Sequence, residues 1–303
     1  MVVNASSTSA AARLVPLAAP RNALPLSARS SAVPQARPAS AANSALPRIS
    51  PGLLRAFAVY SRWFLARHFH TVRLSVAGEP PHVPGLPLVI YVNHASWWDP
   101  LVCLLLQQQF FSARRAFAPI DAAALAQYRF FARLGFFGVE QHHARGAAQF
   151  WRVANELLQR PDPVLWLTPQ GRFADARERP ARFRPGLGHL PERGATAAYV
   201  PLALEYAFWE ERKPEVLCRF GDVEIVEQRA SRRPARAADW TRRFEEKLAR
   251  TQDALGAEAC RREPADFRTL LHARSGVSFG YDMWRRLRAW LGGRKFHSEH
   301  GRL

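Results

Sequence analysis

The stretch "LVIYVNHASWWDP", residues 88–100, sets an unbroken apolar run against an exit made of Asn93, His94, Ser96, two tryptophans and Asp99. A short apolar run with no alternation reads as a strand buried on both faces, the pattern of a parallel sheet. Pro100 suits the first turn of a helix, where its missing N–H would be unpaired anyway, and Asp99 just before it is a good N-cap. His94 is therefore expected at a strand exit and Asp99 at the start of the next helix. On one continuous helix their spacing would set the two side chains about 140° apart; across a strand-loop-helix connection they can turn toward each other. An imidazole held at one nitrogen by a carboxylate is a stronger, correctly oriented base at the other. Spacing alone leaves a plainer alternative, in which Asp99 only caps the helix and His94 only belongs to the loop.

Outward from this stretch the chain alternates. "LPLVIYV" (86–92), "PVLWLTP" (163–169) and "AAYVPLALEY" (197–206) read as buried strands, while "PLVCLLLQQQFF" (100–111) and "ARGAAQFWRVANELLQR" (144–160) have the length and period of helices. Gly221-Asp222 inside "EVLCRFGDVEIV" (215–226) predicts a strand, a turn and a strand. A charged helix is expected near 239–258, and "YDMWRRLRAWLGGRK" is expected to form a basic, aromatic helix after it. Such alternation gives the fold class: α/β, one domain with a central, mostly parallel sheet flanked by helices. An amphipathic helix is expected before that domain and basic helices after it.

The chain has 303 residues, 48% of them hydrophobic, enough for one substantial core. Its 43 Lys+Arg against 25 Asp+Glu give a formal charge of +18, and all but Lys213, Lys247 and Lys295 are arginines. Such a balance favours partners with phosphate or carboxylate groups. Nucleic acid ranks low among them, because the arginines are dispersed and no motif that reads bases is present. Cys103, Cys218 and Cys260 form no C-x-x-C pair, so neither a disulfide framework nor a structural metal is expected.

The first acidic residue is Glu79. Residues 1–50 are dominated by Ala, Ser, Pro and isolated Arg, and read as a disordered leader in preference to an organelle transit peptide. From Pro51 the sequence "PGLLRAFAVYSRWFLARHFHTVRLSV" places Arg55, Arg62, Arg67, His70 and Arg73 within an arc of roughly 140°. Leu53, Leu54, Ala58, Trp63, Leu65 and Ala66 fall largely on the remainder. Residues 51–78 are therefore expected to be an amphipathic helix, too often charged to span a bilayer but suited to lying on an anionic membrane surface, with packing into the core as the equal alternative. The domain proper is expected over 79–230, with a helical extension over 231–303.

Four blocks in order carry a family resemblance. "NHASWWD" (93–99) resembles the N-H-x-x-x-x-D block of the lysophospholipid (1-acylglycerol-3-phosphate) acyltransferase family. "WLTPQGRF" (166–173) is similar to its F-P-E-G-T-R block, "FRPG" (183–186) to its F-K-P-G element and "VPLAL" (200–204) to its V-P-V-A-I element. The resemblance spans roughly residues 52–226. It implies acyl transfer with no cofactor and no metal, in which His94 takes the proton from an acceptor hydroxyl and Asp99 orients the imidazole. The donor would be acyl-CoA or an acyl carrier protein thioester, the acceptor a lipid, and the place the cytoplasmic face of a membrane, peripheral or monotopic. Asn93, Gln141, Gln170, Gly171, Arg172, Arg184 and Pro201 become candidate substrate contacts, and backbone N–H groups near the 171 turn candidate oxyanion donors.

Two departures bear on the acceptor. Gln170-Gly171-Arg172 stands where the family has Glu-Gly-Thr-Arg, and Gln141 stands where an arginine is usual after "LGFFGVE". Both positions resemble contacts to an acceptor phosphate, so the expectation shifts from lysophosphatidic acid toward an uncharged, hydroxyl-rich lipid such as a glycolipid or glycosylated terpenoid. Two rivals rank below this reading. A seryl mechanism at Ser96 lacks a G-x-S-x-G elbow, and a catalytically silent membrane protein would not need both His94 and Asp99.

Overall fold

The apolar run at 88–92 lies at the centre of the sheet. The structure is a computed structural model that describes residues 44–140, 143–194, 196–227 and 235–273. In chain order the elements are α1 (Pro51–His68), β1 (Thr71–Ser75), β2 (Leu88–Val92), α2 (Asp99–Phe110), β3 (Arg115–Asp121), α3 (Ala122–Gln127), β4 (Phe136–Val139) and α4 (Ala144–Leu158). There follow β5 (Pro163–Leu167), α5 (His189–Glu192), β6 (Ala197–Ala207), β7 (Glu215–Phe220), β8 (Glu224–Val226), α6 (Ala237–Arg261) and β9 (Phe267–His272). Along the sheet the order is β4-β3-β5-β2-β6-β7-β1-β9, with β8 beside β6. β2 runs parallel to both neighbours, β5 and β6. The fold is α/β with a mostly parallel sheet, as the alternation of apolar runs predicts.

Helices cover both faces, which is why β2 and β5 are apolar at every position. Leu88, Ile90 and Val92 face Leu65 of α1 and Val102, Leu105 and Leu106 of α2. Val89 and Tyr91 face the opposite layer, with Val153 and Leu157 of α4, Leu190 of α5, and Phe244 and Leu248 of α6. Each cluster buries side chains worth about 1.5–3 kcal/mol apiece in transfer free energy.

The structure corrects five expectations. The helix expected over 51–78 stops at His68, and Thr71–Ser75 enters the sheet between β7 and β9. Arg73 therefore does not belong to a membrane-facing arc: its Nε bonds Glu215 Oε2 at 2.9 Å. Trp63, placed by the sequence on the apolar side of α1, is 57% exposed beside Arg55, Arg62 and Arg67. Residues 44–50, assigned to a disordered leader, dock onto the domain: Ser44 Oγ and the Ala45 N–H both reach Glu156 of α4, at 2.6 and 2.8 Å. The extension over 231–303 is not wholly helical, since β9 pairs antiparallel with β1. The remainder of the leader, residues 1–43, and the expected basic helix over 281–295 lie outside the described residues.

The fifth correction concerns 215–226, where the chain does not reverse at Gly221-Asp222. Both β7 and β8 run antiparallel to β6, and their registers differ by one residue: Leu202 faces Phe220, whereas Tyr199 faces Glu224. This is a bulge in one long strand, and it increases local twist at the cost of an interrupted ladder. Gly221 is required there because a Cβ would lie 2.2 Å from Thr251 Oγ1 and 2.7 Å from Pro201 Cγ.

Glu215 is 3% exposed in its side chain and would be costly alone; Arg73, the Thr71 hydroxyl and, at 3.9 Å, His70 surround it. Arg73→Met should therefore leave a buried carboxylate without its guanidinium and cost about 3–5 kcal/mol in urea unfolding. A loss below about 1 kcal/mol would mean that Thr71 and His70 hold Glu215 unaided.

Candidate active site

The carboxyl ends of parallel strands are where an α/β sheet leaves room for a ligand. β2 and β5 stand in register, Tyr91 opposite Leu167, so that three residues further on His94 meets Gln170. The His94 N–H donates to Gln170 Oε1 at 2.9 Å, and the His94 carbonyl accepts from the Ala174 N–H at 2.8 Å. Both backbone groups of His94 are thus held by the segment after β5. The Phe173 ring lies over the imidazole, with centroids 4.3 Å apart.

His94 Nδ1 and Asp99 Oδ2 lie 2.7 Å apart, with Asp99 1% exposed and the imidazole 20% exposed in their side chains. A buried carboxylate must be met by donors, and Asp99 is met by three. Besides the imidazole, the Ser96 N–H donates to Oδ2 at 3.0 Å and the Tyr206 hydroxyl to Oδ1 at 2.6 Å. Burial, and next the Asp99 charge, push the Tyr206 phenol far up, so it stays protonated and donates. With Nδ1 committed as the donor to a carboxylate, Nε2 is left with its lone pair free to accept a proton.

Asp99 is not the N-cap that the sequence predicts. It is the first residue of α2, with Trp98 before it, and no side chain caps the helix. Ser96 closes the turn through its backbone, and its hydroxyl accepts from the Trp98 N–H at 3.3 Å. The tryptophans have separate tasks. Trp98 packs on Phe64 and His68 of α1 and on Phe69, at 5.1, 4.9 and 4.9 Å between centroids. Trp97 lines an apolar cavity of about 290 Å³ and is also 57% exposed, so it stands where that cavity meets the surface. Phe57 and Phe64 of α1, Leu101 and Leu104 of α2, Phe131 and Phe136 form much of the wall. Gln107 also lines it, and its amide is occupied by the Phe111 and Arg114 carbonyls and by Trp166 Nε1. Cys103 also lines it, and burial holds that thiol protonated and unreactive.

The remaining candidate residues separate. Asn93 is fully buried, and its amide exchanges two hydrogen bonds with the Leu204 backbone, at 2.8 and 2.9 Å, extending the β2–β6 pairing past the strand end. Pro201 is likewise interior to β6, its carbonyl accepting from the Gly221 N–H. Gly171 adopts φ +64° and its N–H is spent on the Thr168 carbonyl, so it is not a free oxyanion donor. Arg184 lies against it so closely that a Cβ would sit 2.4 Å from Nε. Arg172 is engaged by Glu178 and the Phe173 carbonyl. Gln141 lies outside the described residues.

Sequence reading missed Tyr206, which is 107 positions from Asp99. The signal was the second tyrosine of β6, next to Glu205 where the apolar run ends. Tyr206→Phe should cost about 1.5–3 kcal/mol, the range for a hydrogen bond to a charged group, and only about 1 kcal/mol when made in an Asp99→Asn background. Equal costs in the two backgrounds would show that the hydroxyl does not act through Asp99.

No family model matches the chain, and no curated protein matches it in sequence. Among solved structures, the chain is similar to the crystal structure of the 1-acyl-sn-glycerophosphate (LPA) acyltransferase PlsC from Thermotoga maritima. That similarity has 14% identity and a TM-score of 0.44, over 68% of this chain and 80% of that one.

Proposed function

We propose that this chain is a membrane-associated O-acyltransferase that moves a fatty acyl group from a thioester to a hydroxyl of a lipid. The observation that carries the proposal is the His94–Asp99 pair, a solvent-reaching imidazole 2.7 Å from a buried carboxylate, on the same loop as an apolar cavity lined by Trp97 and Pro100. Acyl transfer needs those two things together. The cavity accepts the alkyl chain of the donor, and the loop meets the carbonyl end of that chain with a base.

The reaction then runs in one addition and one collapse. His94 Nε2 removes the proton of the acceptor hydroxyl as its oxygen adds to the thioester carbonyl, and Asp99 stabilises the imidazolium. Collapse expels the thiolate, which takes the proton back. Acyl-CoA and acyl carrier protein both present this thioester to His94 in the same chemical form.

An uncharged, hydroxyl-rich acceptor is the preferred reading, because Gln170 is neutral and the Arg172 charge is already matched by Glu178. A phosphate-bearing acceptor such as lysophosphatidic acid is the second reading. It is favoured by Arg184, which is exposed at the Gly171 turn and has no ion pair among the described residues. The membrane reading is supported by the outer face of α1, where Arg55, Arg62 and Arg67 are interleaved with exposed Val59, Tyr60 and Trp63. No helix among the described residues is long and apolar enough to cross a membrane.

Purified protein given a long-chain acyl thioester and either a glycolipid or lysophosphatidic acid should acylate the glycolipid faster. His94→Ala should abolish transfer and Asp99→Asn should lower it by ~10²-fold. Full turnover in a clean His94→Ala preparation would overturn the mechanism. Preference for lysophosphatidic acid that is lost in Arg184→Ala would establish the second acceptor reading instead. In liposome flotation, neutralising Arg55, Arg62 and Arg67 together should remove about 3 kcal/mol of attraction to anionic vesicles and release the protein as salt rises. A triple variant that floats like its parent would place the anchor elsewhere.

A further inference from the structure

Between the end of β5 at Leu167 and the start of α5 at His189 the chain has neither helix nor strand. This segment nevertheless carries two contacts that cover His94: the Phe173 ring, 4.3 Å from the imidazole between centroids, and the Ala174 N–H, 2.8 Å from the His94 carbonyl. A stretch without a backbone ladder of its own stays where side chains hold it. Three of those holds come from α6, which lies beyond the part of the chain that carries the family resemblance. Glu245 Oε1 accepts from the Phe183 N–H at 2.6 Å, Gln252 Nε2 donates to the Ala176 carbonyl at 2.8 Å, and Asp253 pairs with Arg179. At 100° per residue these three α6 positions share one side of the helix, while Phe244, Leu248 and Leu255 turn into the core.

Gln252 is the buried member of the three, at 4% exposed. Because a carbonyl can only accept, the nitrogen of its amide is the end that faces Ala176. The other end, Oε1, is sealed and accepts from no group among the described residues. A buried amide with one end unpaired costs stability, and the Ala176 carbonyl would stay paired without it, since Arg179 Nη1 also donates to that oxygen at 2.9 Å. Stability therefore gives no reason for a glutamine here. Its position does: the carbonyl it holds is two residues beyond Ala174 and three beyond Phe173. Resting on the acyl-transfer reading, we propose that Gln252 is a positioning residue for the base, holding the 173–176 segment so that Phe173 keeps the imidazole in the orientation that Asp99 selects. Gln252 touches no substrate in this role and acts only through Ala176 and Phe173.

Gln252→Met separates this role from a structural one, because it keeps the length of the side chain and removes both the donor and the sealed oxygen. The expected result is a melting temperature equal to or above that of the wild type, with kcat lower by ~10-fold and KM for the thioester changed less than about threefold, the cost of a slightly misplaced base. A second readout needs no turnover. The Phe173 ring shifts the magnetic resonances of the imidazole it covers, and Phe173→Leu removes that shift. In Gln252→Met the His94 imidazole signals, identified by their absence in His94→Ala, should move toward their Phe173→Leu positions. An active wild type with Gln252→Met within about threefold of its kcat, or with His94 signals that coincide with those of the wild type, overturns this proposal alone. A melting temperature lowered in step with kcat in both Gln252→Met and Gln252→Leu gives the glutamine a structural role and overturns it likewise. A wild type inactive toward every lipid hydroxyl overturns the acyl-transfer reading and this proposal with it.

Discussion

A carboxylate that is 1% exposed dictates much of what surrounds it. Satisfying Asp99 requires three donors, and each is supplied by a different stretch: the imidazole after β2, the Ser96 N–H in the turn, and the Tyr206 hydroxyl from the end of β6. The carboxylate so fixes the rotamer of His94, the conformation of the loop and the lateral position of β6. Asn93 adds a second tie between the same partners through Leu204. The site is rigid because its charges and its strand ends are satisfied by one set of bonds. Removing any single member exposes the others to an interior that is poor in water.

The same economy appears on the β5 side. Register between β2 and β5 delivers His94 to Gln170, and the loop beyond Gln170 closes over the imidazole with Phe173. Neither feature needs a residue with special reactivity. What is chemical in the site is concentrated in one imidazole, and what is structural is arranged to keep that imidazole in one orientation.

The sequence made the sheet legible because β2, β5 and β6 are apolar without alternation, a pattern produced by burial on two faces. It misjudged the end of α1 because Thr71-Val72-Arg73-Leu74 is compatible with both a helical and a strand period, and pairing with β7 and β9 decides between them. It misread 215–226 because Gly-Asp marks a hairpin turn and a bulge equally well, and the choice depends on whether β6 is long enough to accept both halves. Asp99 could be read as cap or as partner of His94, since either use suits a carboxylate at a helix start; the half-buried tyrosine that completes its set of donors is distant in sequence. Gln170 was visible only as a lost negative charge. Which end of its amide faces inward depends on a backbone N–H that no local pattern reveals.

The cavity beside this site has walls of unequal stiffness. On one side stand β3 and Trp166, the latter locked by Gln107, with neighbours on every edge of the sheet. On the other stands α1, whose buried residues are Ser61 and Leu65 and whose outer face is open. A guest longer or bulkier than the resting volume would be accommodated by displacement of the helix, since a sheet strand cannot move without breaking its ladders. The compliance of the cavity is thus borne by the same element that carries the exposed arginines and aromatics. Any surface that grips α1 would also set how far the cavity can widen.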